Sequence, residues 1–478
     1  MDGGMRSSMN VVALPVADDW SIAIACHRAG DTSGAIEHYE RHLAQHPDDV
    51  DGWLTLASAL RSSACTDAAL VCCQRALRLA PHCAAAWTNL GMLWLVLGHH
   101  EQALRCHRNA MALDGRHIRP RLEYARTLGA IGNLEQAEAV LDECLIAEPE
   151  RADLLFERAC IRLRRGHQAQ AWPDFDARLR LRPARVPELP LPRWCGERIG
   201  GKRLLLLAER GLADTLWATR FIPQLVRRGA EPTLVCPAAL HPVLAALPVR
   251  LLASIDAGTA QREHDLQCAL LSLPGLVEPR GRLIPEPAAV SVPAESRAWA
   301  AQRFADSGAA LRIGVVCSNT GAERDTPPLR RLLGLAALPG VQLFSLQKQP
   351  VPGGAHAGHA DGLLIDAGTR CRHLGDTAAI LERMDLVIAT DGVVARLAAA
   401  MEKPALILLP YSAHWIYGRW ADTTPWYPTL RLLRQPDPGD WKPVIDELLR
   451  LVTTWACVRE GRSSPVVSPV VAARGGLG

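Results

Sequence analysis

Lysine is nearly absent: among 53 basic residues only Lys202, Lys348, Lys403 and Lys442 are lysines, and the rest are arginines. No apolar run approaches the roughly 20 residues that a membrane-spanning helix needs. The chain does not open with a basic flank and an apolar core, so no secretory leader is expected. Among 14 cysteines there is no Cys-x-x-Cys pair, and no Cys/His set has zinc spacing. The nearest approaches, His356-x-x-His359 and Cys371-x-His373, lie in Gly/His-rich or turn-like stretches and read as loop residues. No metal and no cofactor are therefore expected, and a reduced, cytoplasmic setting fits the free thiols. The formal net charge is only +3. Nothing in that balance calls for nucleic acid or an anionic membrane as partner.

What is present is apolar residue in quantity. Hydrophobic residues make up 49% of 478, which excludes a disordered chain and suffices for two or three buried cores.

The first third repeats itself. Ala35, Ala69, Ala103, Ala137 and Ala171 stand 34 residues apart, and so do Ala23, Ala57, Gly91, Ala125 and Ala159. Gly30, Ala64, Gly98, Gly132 and Gly166 form a third series; Pro47, Pro81, Gly115, Pro149 and Pro183 form a fourth. This is the period of the tetratricopeptide repeat. Small residues allow the two helices of a hairpin to approach. The glycine ends the first helix, where a positive φ is needed, and the proline follows the second, which it cannot continue. Large residues such as Trp53, Leu56, Trp87, Leu90, Tyr39 and Phe175 fill the gaps between hairpins. A solenoid of about five hairpins with a concave groove is expected over 17–185, because one hairpin cannot bury its own apolar face. Such a groove serves partner binding, or acts as a spacer or dimerisation surface.

After Pro183 the texture changes. A Pro/Arg-rich linker over 186–201 leads into short apolar runs that alternate with helical patterns. Strands are expected at Arg203–Ala208, Thr233–Cys236, Arg250–Ala253, Arg312–Cys317, Gln342–Leu346, Leu363–Asp366, Leu386–Ala389 and Ala405–Leu409. Helices are expected at Asp214–Arg228, Ala294–Asp306, Thr377–Met384 and Val393–Met401. Continuous apolar strands with helices between them imply parallel sheets covered on both faces. The prolines around 285–293 divide them into two Rossmann-like domains, 202–292 and 293–455, with a flexible tail over 456–478.

Several runs then carry a resemblance. They are Leu204-Leu-Leu-Leu-Ala-Glu-Arg-Gly-Leu-Ala-Asp-Thr215, Leu271-Ser-Leu-Pro274, Phe344-Ser-Leu-Gln-Lys348, Asp385-Leu-Val-Ile-Ala-Thr-Asp391, Pro425-Trp-Tyr-Pro428 and Arg434-Gln-Pro-Asp-Pro-Gly-Asp-Trp441. In this order across about 250 residues, 202–455 resembles the transferase region of bacterial tetratricopeptide-repeat glycosyltransferases. That region has the GT-B fold and is related to the ADP-heptose heptosyltransferases. More distantly it is related to the O-linked N-acetylglucosamine transferases. The last of these line the repeat groove with asparagines; here those positions are Ser21, Thr55, Asn89, Glu123 and Glu157, so that mode of peptide grasp does not carry over.

The resemblance implies a nucleotide-sugar donor bound by the second α/β domain and a protein or glycan acceptor on the side of the first. It makes Asp214 the general base; the alternative reading of Asp214 is a helix N-cap. The loop Asp391-Gly392-Val393, at a helix N-terminus, would hold the diphosphate through free N–H groups and the helix dipole, with Arg396 able to pair bidentately. Relatives read Asp-Thr-Ala-x-x-His where this chain has Asp391-Gly-Val-Val-Ala-Arg396. The alternative there is a capping Asp391 and a solvated Arg396. Lys348 offers a point charge for phosphate, or is a solvated strand-end lysine. Asn319 survives from a longer polar signature, replaced here by Val316-Cys-Ser-Asn-Thr-Gly-Ala-Glu-Arg-Asp-Thr-Pro-Pro328. Trp415, Tyr417, Trp420, Trp426, Tyr427 and Trp441 either face sugars or pack as a lid on the C-terminal helix. The expectation is a glycosyltransferase whose repeats recognise the acceptor or a partner. The alternative is a catalytically degenerate transferase fold that serves as an interaction scaffold.

Overall fold

The computed structural model describes residues 18–115, 117–181, 186–209, 211–281, 283–304, 311–317, 326–348, 363–419 and 422–459. The chain divides into two compact units, 1–128 and 129–478.

In the first unit, helices pair as hairpins: α1 (Asp19–Ala29) with α2 (Thr32–Gln45), α3 (Val50–Ser62) with α4 (Thr66–Leu79), and α5 (Ala84–Val96) with α6 (His100–Leu113). α7 (Ile118–Ala130) runs across the division. α8 (Leu134–Ala147), α9 (Ala152–Arg164) and α10 (Gln168–Phe175) belong to the second unit. The periodic residues occupy the places their chemistry demands. Ala35, Ala69, Ala103, Ala137 and Ala171 are all fully buried. The chain turns with φ of 83°, 60°, 73°, 80° and 82° at Gly30, Ala64, Gly98, Gly132 and Gly166. Four of the five are glycine because a Cβ crowds the left-handed conformation; Ala64 tolerates it at a cost. The indole N–H groups of Trp53 and Trp87 donate to the carbonyls of Pro47 and Pro81 at 2.9 and 3.0 Å, which ties each turn to the next helix. These are tetratricopeptide repeats forming an N-terminal helical solenoid.

Within the second unit, two parallel sheets follow the last hairpin. The first is ordered β3-β2-β1-β4, from β1 (Arg203–Leu207), β2 (Glu231–Val235), β3 (Arg250–Leu252) and β4 (Leu266–Ala269). Its helices are α11 (Leu212–Ala218), α12 (Ile222–Arg227), α13 (His241–Leu244), α14 (Ala257–Glu263) and α15 (Leu273–Val277). The second sheet is ordered β10-β9-β8-β5-β6-β7. Its strands are β5 (Leu311–Val316), β6 (Val341–Ser345), β7 (Leu364–Asp366), β8 (Leu386–Thr390), β9 (Ala405–Leu409) and β10 (Leu430–Arg434). α16 (Ala294–Arg303), α17 (Leu329–Leu332), α18 (Leu374–Glu382), α19 (Val393–Ala400) and α20 (Lys442–Arg459) accompany it.

The apolar runs are continuous because both faces are covered. Leu386 and Ile388 of β8 pack with Trp441 and Leu448 on one side, whereas Val387 and Ala389 join the cluster that holds Leu397 on the other. Two strands were not anticipated, β4 and β10. β4 is short and carries Gln267, whose amide donates to the carbonyls of Leu189 and Leu191; β10 lies at the sheet edge and begins and ends among arginines. The single helix expected over Asp214–Arg228 is instead α11, a 3₁₀ turn at Thr219–Phe221 and α12, with Pro223 at the second position of α12. A proline has no N–H to give to the preceding turn. α20 continues to Arg459. No helix among the described residues is long and apolar enough to cross a membrane.

Candidate functional site

In each sheet the strand order reverses once, between β1 and β4 in the first and between β5 and β8 in the second. Crevices open outside the carboxyl ends of parallel strands at such points. The segment after β1 carries Asp214, and the segment after β8 carries Asp391 and Gly392.

Asp214 does not cap a helix. Gly211 is the N-cap residue of α11, and Asp214 sits in the first turn. Asp391 does not cap α19 either; Gly392 stands there, and a methyl group built on it would meet nothing within 4 Å. Arg396 is not solvated but 2% exposed. Its Nη1 donates to Asp214 Oδ1 at 2.6 Å and its Nη2 to Asp391 Oδ1 at 3.4 Å. Asp391 Oδ1 also accepts from the Tyr417 hydroxyl at 2.7 Å. Thus two carboxylates singled out in the sequence, one after β1 and one after β8, converge on the guanidinium of a third singled-out residue. Burial works against charge on Arg396, but Asp391, Tyr417 and Asp214 outweigh it and hold its pKa above the ordinary arginine value. Burial, followed by the charge of Asp391, pushes the Tyr417 hydroxyl well up, so it is a donor at any ordinary pH.

Val393 begins α19 beside Gly392. Lys348 is exposed, just past the end of β6 on the far side of β5 from β8, and is not brought into contact with Asp391 or Arg396. Asn319, Asp325 and Trp420 lie outside the described residues, as do His356 and His359. Among the described residues no group of three or more His, Cys, Asp or Glu side chains is placed to hold a metal.

The aromatic set splits. Trp441 is buried against α20. Trp415 meets Trp172, Trp217 and Trp426 edge-on at centroid distances of 6.0, 5.1 and 6.0 Å. It thereby joins the last hairpin to α11 and to the segment before β10. α11 and α19, which follow β1 and β8, pack directly on each other. A cavity of about 230 Å³ is lined among others by Phe156, Arg164, Phe175, Asp214, His414 and Trp415.

Two arginines were overlooked. Arg178, 4% exposed, donates to Glu209 at 2.6 Å, and Glu209 also accepts from the Leu271 N–H. That Glu is the one in Leu204–Thr215, and its observed use is to lock the last repeat to the first sheet. Arg164 reaches into the cavity from α9. In the repeat register Arg178 stands where Cys144, Ala110 and Ala76 stand earlier, and Arg164 where Ala130, Val96 and Ser62 do. A long cation in a small-residue position was the available signal.

A tetratricopeptide-repeat family profile matches residues 20–59. Protein FlbA of Caulobacter vibrioides is 24% identical over 468 residues, spanning 88% of this chain and 76% of that one. Among solved structures, a thermophilic tetratricopeptide-repeat protein of Thermus thermophilus is 20% identical over 34% of this chain and 90% of its own, with a TM-score of 0.33. PilW, a type IV pilus biogenesis factor, is 22% identical over 34% of this chain and 77% of its own, with a TM-score of 0.32.

Proposed function

We propose that the two α/β domains form a GT-B glycosyltransferase, moving a sugar from a nucleotide-sugar donor to a hydroxyl on a protein or glycan, with the repeats engaging the acceptor or a partner protein. The observation that carries this is the convergence of both strand-order reversals on Asp214 and the 391–396 loop. A base on one domain and an anion-holding helix start on the other are the two groups that transfer from a nucleotide diphosphate requires. The acceptor hydroxyl loses its proton to the Asp214 carboxylate. Its oxygen then attacks the anomeric carbon, and the bond from that carbon to the diphosphate oxygen breaks, its electron pair leaving with the diphosphate. Arg396 and the N–H groups at Gly392 and Val393 offset the charge that develops there; Lys348 and Asn319 join them as donor-binding residues on the strength of the resemblance alone.

The pairing of Arg396 with Asp214 favours a second reading, an interaction scaffold on a transferase fold that no longer turns over. The two separate by calorimetric titration with UDP, GDP, ADP, CMP and their sugars. The transferase reading expects saturable binding of one nucleotide. It expects Asp214→Asn to abolish turnover while nucleotide binding persists, tighter if anything, because the change removes the base and also the carboxylate that competes for Arg396. It expects Arg396→Ala to weaken nucleotide binding instead. If no nucleotide binds the wild type, the scaffold reading replaces it.

A further inference from the structure

The cavity beside Asp214 holds a cation that no carboxylate among the described residues pairs directly. Among the described residues Arg164 makes one hydrogen bond, from Nη1 to the Gly129 carbonyl at 2.8 Å, and its buried Nε has no partner there. Glu157 acts on it through space, but burial outweighs that attraction. Arg434 lies near enough for Arg164 to act on its charge. Among the described residues it donates to the carbonyls of Tyr411, Tyr417 and Gly418, and its Nε too has no partner there. Burial lowers the pKa of both, that of Arg434 to about 10. Neither has a hydrogen-bonded carboxylate among the described residues, although buried charges are ordinarily paired. Arg419, also close to Arg164, is committed to Glu135 at 3.1 Å. The walls around Arg164 are Phe156, Phe175 and Trp415, aromatic faces of the kind that stack on sugar rings. At about 230 Å³ the space falls below the range of roughly 300–1,000 Å³ typical of drug-sized ligands, which suits a single ring.

We infer that this cavity is an anion-recognising acceptor subsite, in which Arg164 receives the carboxylate or phosphate of a monosaccharide unit while a hydroxyl of the same unit faces Asp214. Its place in a reaction rests on the transferase reading; its binding chemistry does not. The test is titration of the intact chain with glucuronate, glucose 6-phosphate and neutral glucose, followed by tryptophan fluorescence. One of the two anionic sugars should bind at least tenfold more tightly than glucose, and which one does so identifies the acidic group. Arg164→Met should bring that ratio to about one, and Arg164→Lys, which keeps the charge, should retain part of it. Nucleotide affinity should stay unchanged in both variants. Equal affinity for all three sugars in the wild type overturns the proposal, as does an undiminished ratio in a folded Arg164→Met. If the wild type binds no nucleotide yet prefers an anionic sugar, the transferase reading falls and the subsite stands.

Discussion

Replacing His107 with leucine should remove a pH dependence from the third repeat hairpin. His107 lies on α6, fully buried, with neither ring nitrogen hydrogen-bonded. It fits because the residue opposite is Gly91, where an added Cβ would come within 2.5 Å of the imidazole. Burial lowers the pKa of the ring from 6.5 to about 4. The folded hairpin therefore keeps His107 neutral at pH values where the unfolded chain has already taken up a proton. Its contribution is complete above pH 6.5, declines as pH falls, and is lost once pH passes through about 4. One pH unit of difference corresponds to about 1.36 kcal/mol, so the full effect is on the order of 3 kcal/mol, and about 2 kcal/mol of it falls between pH 7.5 and 5. Leucine occupies the equivalent place in the next repeat, at Leu141, and brings no titratable group. Hydrogen exchange of the α5 and α6 amides, corrected for intrinsic rates, reads the local opening free energy. The wild type should lose about 2 kcal/mol of protection between those pH values beyond what His107→Leu loses. Equal losses in the two proteins would refute the reasoning.

Other perturbations test other links. Ala64→Gly should raise the stability of the second hairpin by about 1 kcal/mol, since alanine there holds a φ of 60°; an unchanged or lower unfolding midpoint in urea would count against it. Arg178→Met should cost about 3–5 kcal/mol, because it leaves the 2% exposed Glu209 side chain without its cation. Adding Glu209→Leu should recover much of that loss, and a double-mutant cycle with no coupling would show the pair to be inert. Arg396→Ala should destabilise the second unit by a similar amount, seen as an earlier denaturation midpoint, because Asp214 and Asp391 share that one guanidinium.

The repeats were legible because their constraints are local. A left-handed turn, a helix crossing and a helix stop each select a residue type, and the period brings the selections into register. Parallel sheets were legible for a related reason, since strands covered on both faces are apolar throughout. Two of the four edge strands were not: β10 borders one sheet and mixes apolar residues with Arg431 and Arg434, and β4 spends Gln267 on holding the segment before β1, whereas the edges β3 and β7 fall within expected strands.

The site was half legible. Loop positions after β1 and β8 follow from strand order, so Asp214 and Asp391 could be named in advance. Arg396 could be named beside them, but not as their mutual partner, because a solvated arginine and a buried one read alike in sequence. Burial turns Arg396 from a helix-surface charge into the bridge between the segments that follow β1 and β8, and it makes the residue expensive to leave unpaired. A bound diphosphate would carry more charge toward that guanidinium than a single carboxylate does. Donor binding would then compete with Asp214 for Arg396 and release the carboxylate to face the acceptor. The contact that looks inhibitory between Asp214 and Arg396 is, on that account, what helps keep the buried guanidinium satisfied until a stronger anion arrives.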